Sequence, residues 1–124
     1  CQPIGSFSGR VYRLSSAPGI GDDWHGDNVD TRMVALSINL SSRPFEGGVL
    51  KMRRASGGDV FSEAHHTGLG DAVLFRIDPT LRHCNTPVVG ACPKTAFAGW
   101  FRRRPGYEQT MRPWIDQLFR PGRP

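Results

Sequence analysis

His25-Gly26-Asp27, set between Trp24 and Asn28, and the distant His83 are the residues of this chain best suited to do chemistry. Two imidazoles and one carboxylate can hold a ferrous ion by one face and leave its other positions open to substrate and dioxygen. On an extended strand, side chains at i and i+2 share a face. His25 and Asp27 would then point inward together while Gly26 points out, where a missing side chain lets another group approach closely. His83 follows Arg82 at the start of an expected strand and is the candidate third ligand. The remaining histidines, His65 and His66, are adjacent, so at most one could face a common site; both read as sheet-edge or loop residues. A His-x-Asp triplet alone fits a surface histidine beside a turn aspartate better than a metal site, so its surroundings must decide.

The elements that would position these residues have period two. Val34, Leu36, Ile38 and Leu40 alternate with Ala35, Ser37 and Asn39; Val73, Phe75 and Ile77 repeat the pattern. Such alternation predicts half-buried strands, here at 10–14, 25–27, 33–40, 49–54, 60–65, 72–77, 83–88 and 95–102. Pro18-Gly19, Gly47-Gly48, Gly57-Gly58, Gly68, Gly70, Pro79 and Pro93 punctuate them. Many short strands at short spacing predict a mainly β sandwich or jelly roll. In this reading Asn39 shares a face with Ala35 and Ser37 as polar lining, and Cys84 points away from His83. The end differs: Met111, Trp114, Ile115, Leu118 and Phe119 fit a helical stripe with Pro113 in its first turn, packed on the sheet and ended by Pro121-Gly122.

The chain has 124 residues, 38% hydrophobic and 22% charged, which fits one globular domain. The expected core runs over about 10–103, with a helical tail at 105–124. No apolar run is long enough to span a membrane, and no secretory leader is evident. The chain starts at Cys1, and a fragment is the expectation. Three cysteines without regular spacing do not suggest a disulfide framework, so a reducing, cytoplasmic setting is the default. The net charge of +5 admits acidic or nucleic-acid partners. The arginines at 53–54, 102–104, 112, 120 and 123 nevertheless read as a solvated surface. Aromatic residues do not alternate with them as a single-strand platform requires, so nucleic acid is not the expected partner.

The wider sequence carries a resemblance. Arg32-Met33-Val34-Ala35-Leu36-Ser37-Ile38-Asn39-Leu40 is followed by Pro44-Phe45-Glu46-Gly47-Gly48 and Gly70-Asp71-Ala72-Val73-Leu74-Phe75. His83, Thr86-Pro87-Val88, Gly90 and Lys94-Thr95-Ala96-Phe97-Ala98-Gly99-Trp100-Phe101 come next. In this order, from about Tyr12 to Phe101, the chain resembles the Fe(II)/2-oxoglutarate-dependent oxygenases, particularly the prolyl-4-hydroxylase-like branch.

The resemblance implies a double-stranded β-helix with the metal inside and His25, Asp27 and His83 as iron ligands. It implies that a basic residue after the distal histidine pairs with the far carboxylate of 2-oxoglutarate, and Lys94 fills that place. Lys94 lies eleven residues after His83, one more than is usual, while its offset to Trp100 is kept. One extra residue in the Gly90–Pro93 turn accounts for this, with Lys94, Ala96, Ala98 and Trp100 on the inward face. Tyr12 would put its hydroxyl near 2-oxoglutarate, and Trp100 would wall the site. The implied reaction uses Fe(II), 2-oxoglutarate and O2, with ascorbate as an optional accessory reductant. It hydroxylates an unidentified small molecule or protein side chain and releases succinate and CO2. Relatives that halogenate lack the metal-binding carboxylate, and Asp27 is present. Only 24 residues precede His25, whereas family members carry buttressing helices there, so those helices are expected to be missing. Two alternatives stand beside this reading: a cupin-like jelly-roll metalloprotein that does not use 2-oxoglutarate, and a non-catalytic oxygenase-like module that binds a partner through its arginines. Oligomeric state is not readable.

Overall fold

The computed structural model describes residues 3–16, 23–29, 31–66, 68–105, 111–113 and 116. Among the described residues, nine strands follow in chain order: β1 Ser6–Leu14, β2 Arg32–Asn39, β3 Glu46–Gly47, β4 Leu50–Arg54, β5 Ser62–Ala64, β6 Ala72–Arg76, β7 Leu81–Asn85, β8 Val88–Val89 and β9 Lys94–Arg102. A large antiparallel sheet has the order β1-β9-β2-β6; a smaller one has the order β5-β4-β7, and β3 pairs with β8. The mainly β, jelly-roll expectation holds.

The register of the large sheet separates its two faces. Ser8, Arg10 and Tyr12 of β1 stand opposite Trp100, Ala98 and Ala96 of β9, which in turn oppose Ala35, Ser37 and Asn39 of β2. This inner row is rich in small side chains and leaves space between the sheets. The outer row holds the bulk: Phe7, Val11, Phe97, Phe101, Val34, Leu36 and Ile38. There Gly9 faces Gly99, and the rings of Phe97 and Phe7 occupy the room that Cβ atoms would take. Phe7 stacks on Phe97 at 5.8 Å and meets Phe101 at 4.7 Å. Leu50 and Met52 of β4, Cys84 of β7, Val88 of β8, and Ala35 and Ala96 form the buried apolar core.

Several boundaries differ from the sequence reading, each for a physical reason. The first strand starts at Ser6 rather than Arg10, because β9 supplies a partner for a Ser- and Gly-rich stretch that looks loop-like alone. The expected strand at 83–88 is two strands, interrupted at Thr86-Pro87, where proline has no N–H to donate. The His25–Asp27 strand is reduced to one isolated bridge. Strand β3 was not expected, and β5 is shorter than the 60–65 segment. In the tail, Met111–Pro113 and Asp116 are helical; Trp114, Ile115, Leu118, Phe119 and Pro121-Gly122 lie outside the described residues. Among the described residues no helix is long and apolar enough to cross a membrane.

Candidate metal centre

The backbone brings the two distant histidines together. His25 N–H donates to His83 O at 3.0 Å, and His83 N–H donates to His25 O at 2.9 Å. This bridge hangs the segment before β2 on β7 and sets the two imidazole centroids 4.3 Å apart. Two further contacts hold the segment. Trp24, on the other side of the backbone, lies under the Arg53 guanidinium of β4 at 4.2 Å. Gly26 lies beneath the Arg82 guanidinium, which occupies the space a Cβ would need. That is the close approach the glycine permits.

Asp27 completes the group. One candidate donor atom from each of His25, Asp27 and His83 lies within 4.8 Å of the others. His83 Nε2 is 3.7 Å from Asp27 Oδ2. His83 is buried, with its ring edge-on to Phe75, whereas His25 is exposed, so the group opens on the His25 side. His25 Nδ1 is 2.7 Å from the Asp23 carbonyl. An Nδ1–H donated there leaves Nε2 as the nitrogen for a metal, the arrangement metal-binding histidines commonly have. The donors fit a divalent transition ion with free positions.

Both oxygens of Asp27 are already held. Trp100 Nε1–H donates to Oδ2 at 2.7 Å, and Arg32 Nη1 donates to Oδ1 at 3.1 Å. The Arg32 guanidinium also lies 4.0 Å above the Trp100 ring. Each oxygen keeps a lone pair for a metal. The sequence reading did not find Arg32 as a site residue. Strand parity puts it with Val34 on the outer face, but the register of β2 shifts between Arg32 and Val34. Arg32 thereby pairs with Arg102 on the inner row; re-aiming a side chain beside a site is what β-bulges commonly do.

A cavity of about 340 Å³ extends from Asp27 and His83 between the sheets. Tyr12, Trp100 and Asn85 line it, together with Arg10 and Arg13. Tyr12 and Trp100 therefore border the cavity, though Trp100 also commits its N–H to Asp27. Lys94 is on the inner row as its spacing implied, and it is completely buried. Its ammonium donates to Gly48 O at 2.7 Å and to Asn85 Oδ1 at 3.0 Å. Asn85 thus stands between Lys94 and the cavity. Asn39, expected as lining, is instead a latch: its amide donates to Gly68 O at 2.8 Å and its Oδ1 accepts from Ser41 N–H at 3.0 Å. His65 is exposed and His66 half-buried after β5, and neither joins the His25–Asp27–His83 group. Burial holds the His66 pKa below its ordinary value, and the Lys94 charge adds to that, partly opposed by Asp71. The half-buried Cys92 is a free thiol.

Comparisons with known proteins bear on the fold and the family. A prolyl-4-hydroxylase from Pseudomonas putida superposes with a TM-score of 0.59 at 25% identity, over 82% of this chain and 54% of that one. A prolyl hydroxylase from Trichoplax adhaerens, solved with a hypoxia inducible factor peptide, has a TM-score of 0.61 at 18% identity, over 82% and 46%. A Burkholderia pseudomallei oxidoreductase of the 2OG-Fe(II) oxygenase family has a TM-score of 0.58 at 19% identity, over 82% and 46%. The chain thus spans about half the length of these relatives. No curated protein matches the sequence. The profile of the 2OG-Fe(II) oxygenase superfamily matches residues 10–102, and the chain belongs to that superfamily.

Proposed function

We propose that the chain is the catalytic core of an Fe(II)- and 2-oxoglutarate-dependent hydroxylase, with His25, Asp27 and His83 as the iron ligands. The observation that carries this reading is the convergence of those three donors, from two distant parts of the chain, at one end of an inter-sheet cavity. When bound, iron and 2-oxoglutarate supply oxidative decarboxylation by O2 to succinate and CO2, coupled to hydroxylation of a substrate C–H bond. The protein's share is binding and orientation.

Trp100 and Arg32 hold the Asp27 carboxylate in one orientation, and the Asp23 carbonyl selects the His25 tautomer. Lys94 is the partner for the far carboxylate of 2-oxoglutarate through a charge-assisted hydrogen bond, once Asn85 gives up its own bond to that ammonium. Tyr12 offers a hydroxyl on the same wall. The solved neighbours include prolyl hydroxylases, one of them bound to a peptide. They favour a peptide or amino-acid side chain as substrate.

Anaerobic addition of Fe(II) and 2-oxoglutarate to the folded protein tests the reading. A metal-to-ligand charge-transfer band in the visible is expected, and Asp27→Ala should lose both the band and turnover with its circular dichroism unchanged. Metal uptake without the band would instead identify a jelly-roll metalloprotein that does not use 2-oxoglutarate.

A further inference from the structure

The cavity beside the candidate metal centre holds a cation that the proposed chemistry does not use. Arg10 sits on the inner row of β1, directly opposite Ala98 of β9, whose short side chain leaves it room. It lines the same 340 Å³ cavity as Asp27, His83, Tyr12 and Trp100, yet it is exposed, so it stands at the mouth. Arginine stays ionised and offers a planar fork of donors that matches a carboxylate or phosphate. Among the described residues no carboxylate is in ion-pair range of Arg10. Among the described residues Asp27 is the one carboxylate lining the cavity, and its oxygens accept from Arg32 and Trp100 rather than from Arg10. Arg13 also reaches the lining, so the mouth is positive on the β1 side.

We propose that Arg10 is a specificity-determining residue: it pairs with an anionic group, carboxylate or phosphate, on the substrate and so selects acidic substrates for the site. This rests on the hydroxylase reading, in which the two carboxylates of 2-oxoglutarate are assigned to the iron and to Lys94. The anion that Arg10 meets therefore comes from the substrate. The guanidinium orients that substrate from the cavity mouth.

The test uses Zn(II)-loaded protein saturated with 2-oxoglutarate, which does not turn over. Three probes are titrated by ligand-observed NMR: N-acetylglycine, its neutral amide and inorganic phosphate. Wild type should bind at least one of the two anions about tenfold more tightly than the amide, and which anion wins separates a carboxylate from a phosphate substrate. Arg10→Gln should erase the preference, Arg10→Lys should recover part of it, and 2-oxoglutarate affinity should stay within twofold in both. An anion preference that survives Arg10→Gln overturns the proposal. So does a selective loss of 2-oxoglutarate affinity, which would assign Arg10 to the co-substrate. If wild type takes up neither metal nor 2-oxoglutarate, the hydroxylase reading fails on its own. The same titration of the metal-free protein then decides for or against Arg10 as an anion-binding residue.

Discussion

In the proposed metal centre, Asp27 is a carboxylate whose two oxygens are each held by a neighbouring side chain. An unsupported aspartate at the edge of a cavity would sample several rotamers. Here an indole N–H and a guanidinium take one oxygen each, and Arg32 stacks on Trp100, so the three side chains fix one another. Groups of this kind around a ligand typically contribute about 10–100-fold to metal affinity. Trp100→Phe keeps a ring against the cavity but removes the donor to Asp27. It should weaken Mn(II) binding by roughly that 10–100-fold in an electron paramagnetic resonance titration. An unchanged affinity would mean that Arg32 alone orients the carboxylate. The residue types His, Asp and His were readable one by one, and Trp100 was expected at the site as a wall; its bond to Asp27 and the role of Arg32 were not readable, because both contacts cross between elements.

At the scale of elements, turns and strand ends decide where the functional groups go. The turn at Gly47-Gly48 has φ of 75° and 59°, a region that favours glycine. A Cβ on Gly48 would lie 2.8 Å from Lys94 Cδ and 3.2 Å from the Phe45 ring. Gly48→Ala should therefore cost roughly 1–3 kcal/mol in urea unfolding. It should also displace the Lys94 ammonium, seen as weaker 2-oxoglutarate binding. At the end of β2, Asn39 bonds to Gly68 and Ser41 and fastens the loop that carries His66. Both ring nitrogens of His66 are buried without a hydrogen-bond partner. Burial lowers its folded pKa below the ordinary 6.5, so between those two values the unfolded chain binds more protons than the folded one. The stability contributed by neutral His66 is complete above pH 6.5 and falls as pH drops through the window toward the folded pKa. His66→Gln should flatten that acid limb in urea titrations from about pH 7.5 to 5; a limb as steep as in wild type would point to another group.

For the whole molecule, the small inner row and bulky outer row of the large sheet are two sides of one arrangement. Alanine and serine at 35, 37 and 98 leave the space that becomes the cavity, and the aromatic residues of the outer row pack against one another on the other face. A ligand that binds only the folded chain must raise its stability, by about 2.7 kcal/mol at one hundred times its Kd. Mn(II) should therefore raise the melting temperature of the wild type by several degrees and leave that of Asp27→Ala in place. Equal shifts in both proteins would place the bound metal elsewhere.

Strand periodicity and the His25-Gly26-Asp27 spacing are legible along the chain, and the resemblance to the oxygenase family added the jelly roll and the inward face of β9 from Lys94 to Trp100. These depend on alternation and local spacing, which survive in one dimension. The tertiary structure decided what depends on register. A shift in β2 turned Arg32 from the outer row to Asp27. A two-bond bridge, rather than a full strand, brought His25 to His83. Asn85 came to stand between Lys94 and the cavity because β7 runs beside β4, where Leu50 pairs with Asn85 next to the Gly47-Gly48 turn. A one-residue slip exchanges the faces of a strand, so the pattern along the chain could offer His25, Asp27 and His83 as candidates but not show that Arg32 turns to Asp27.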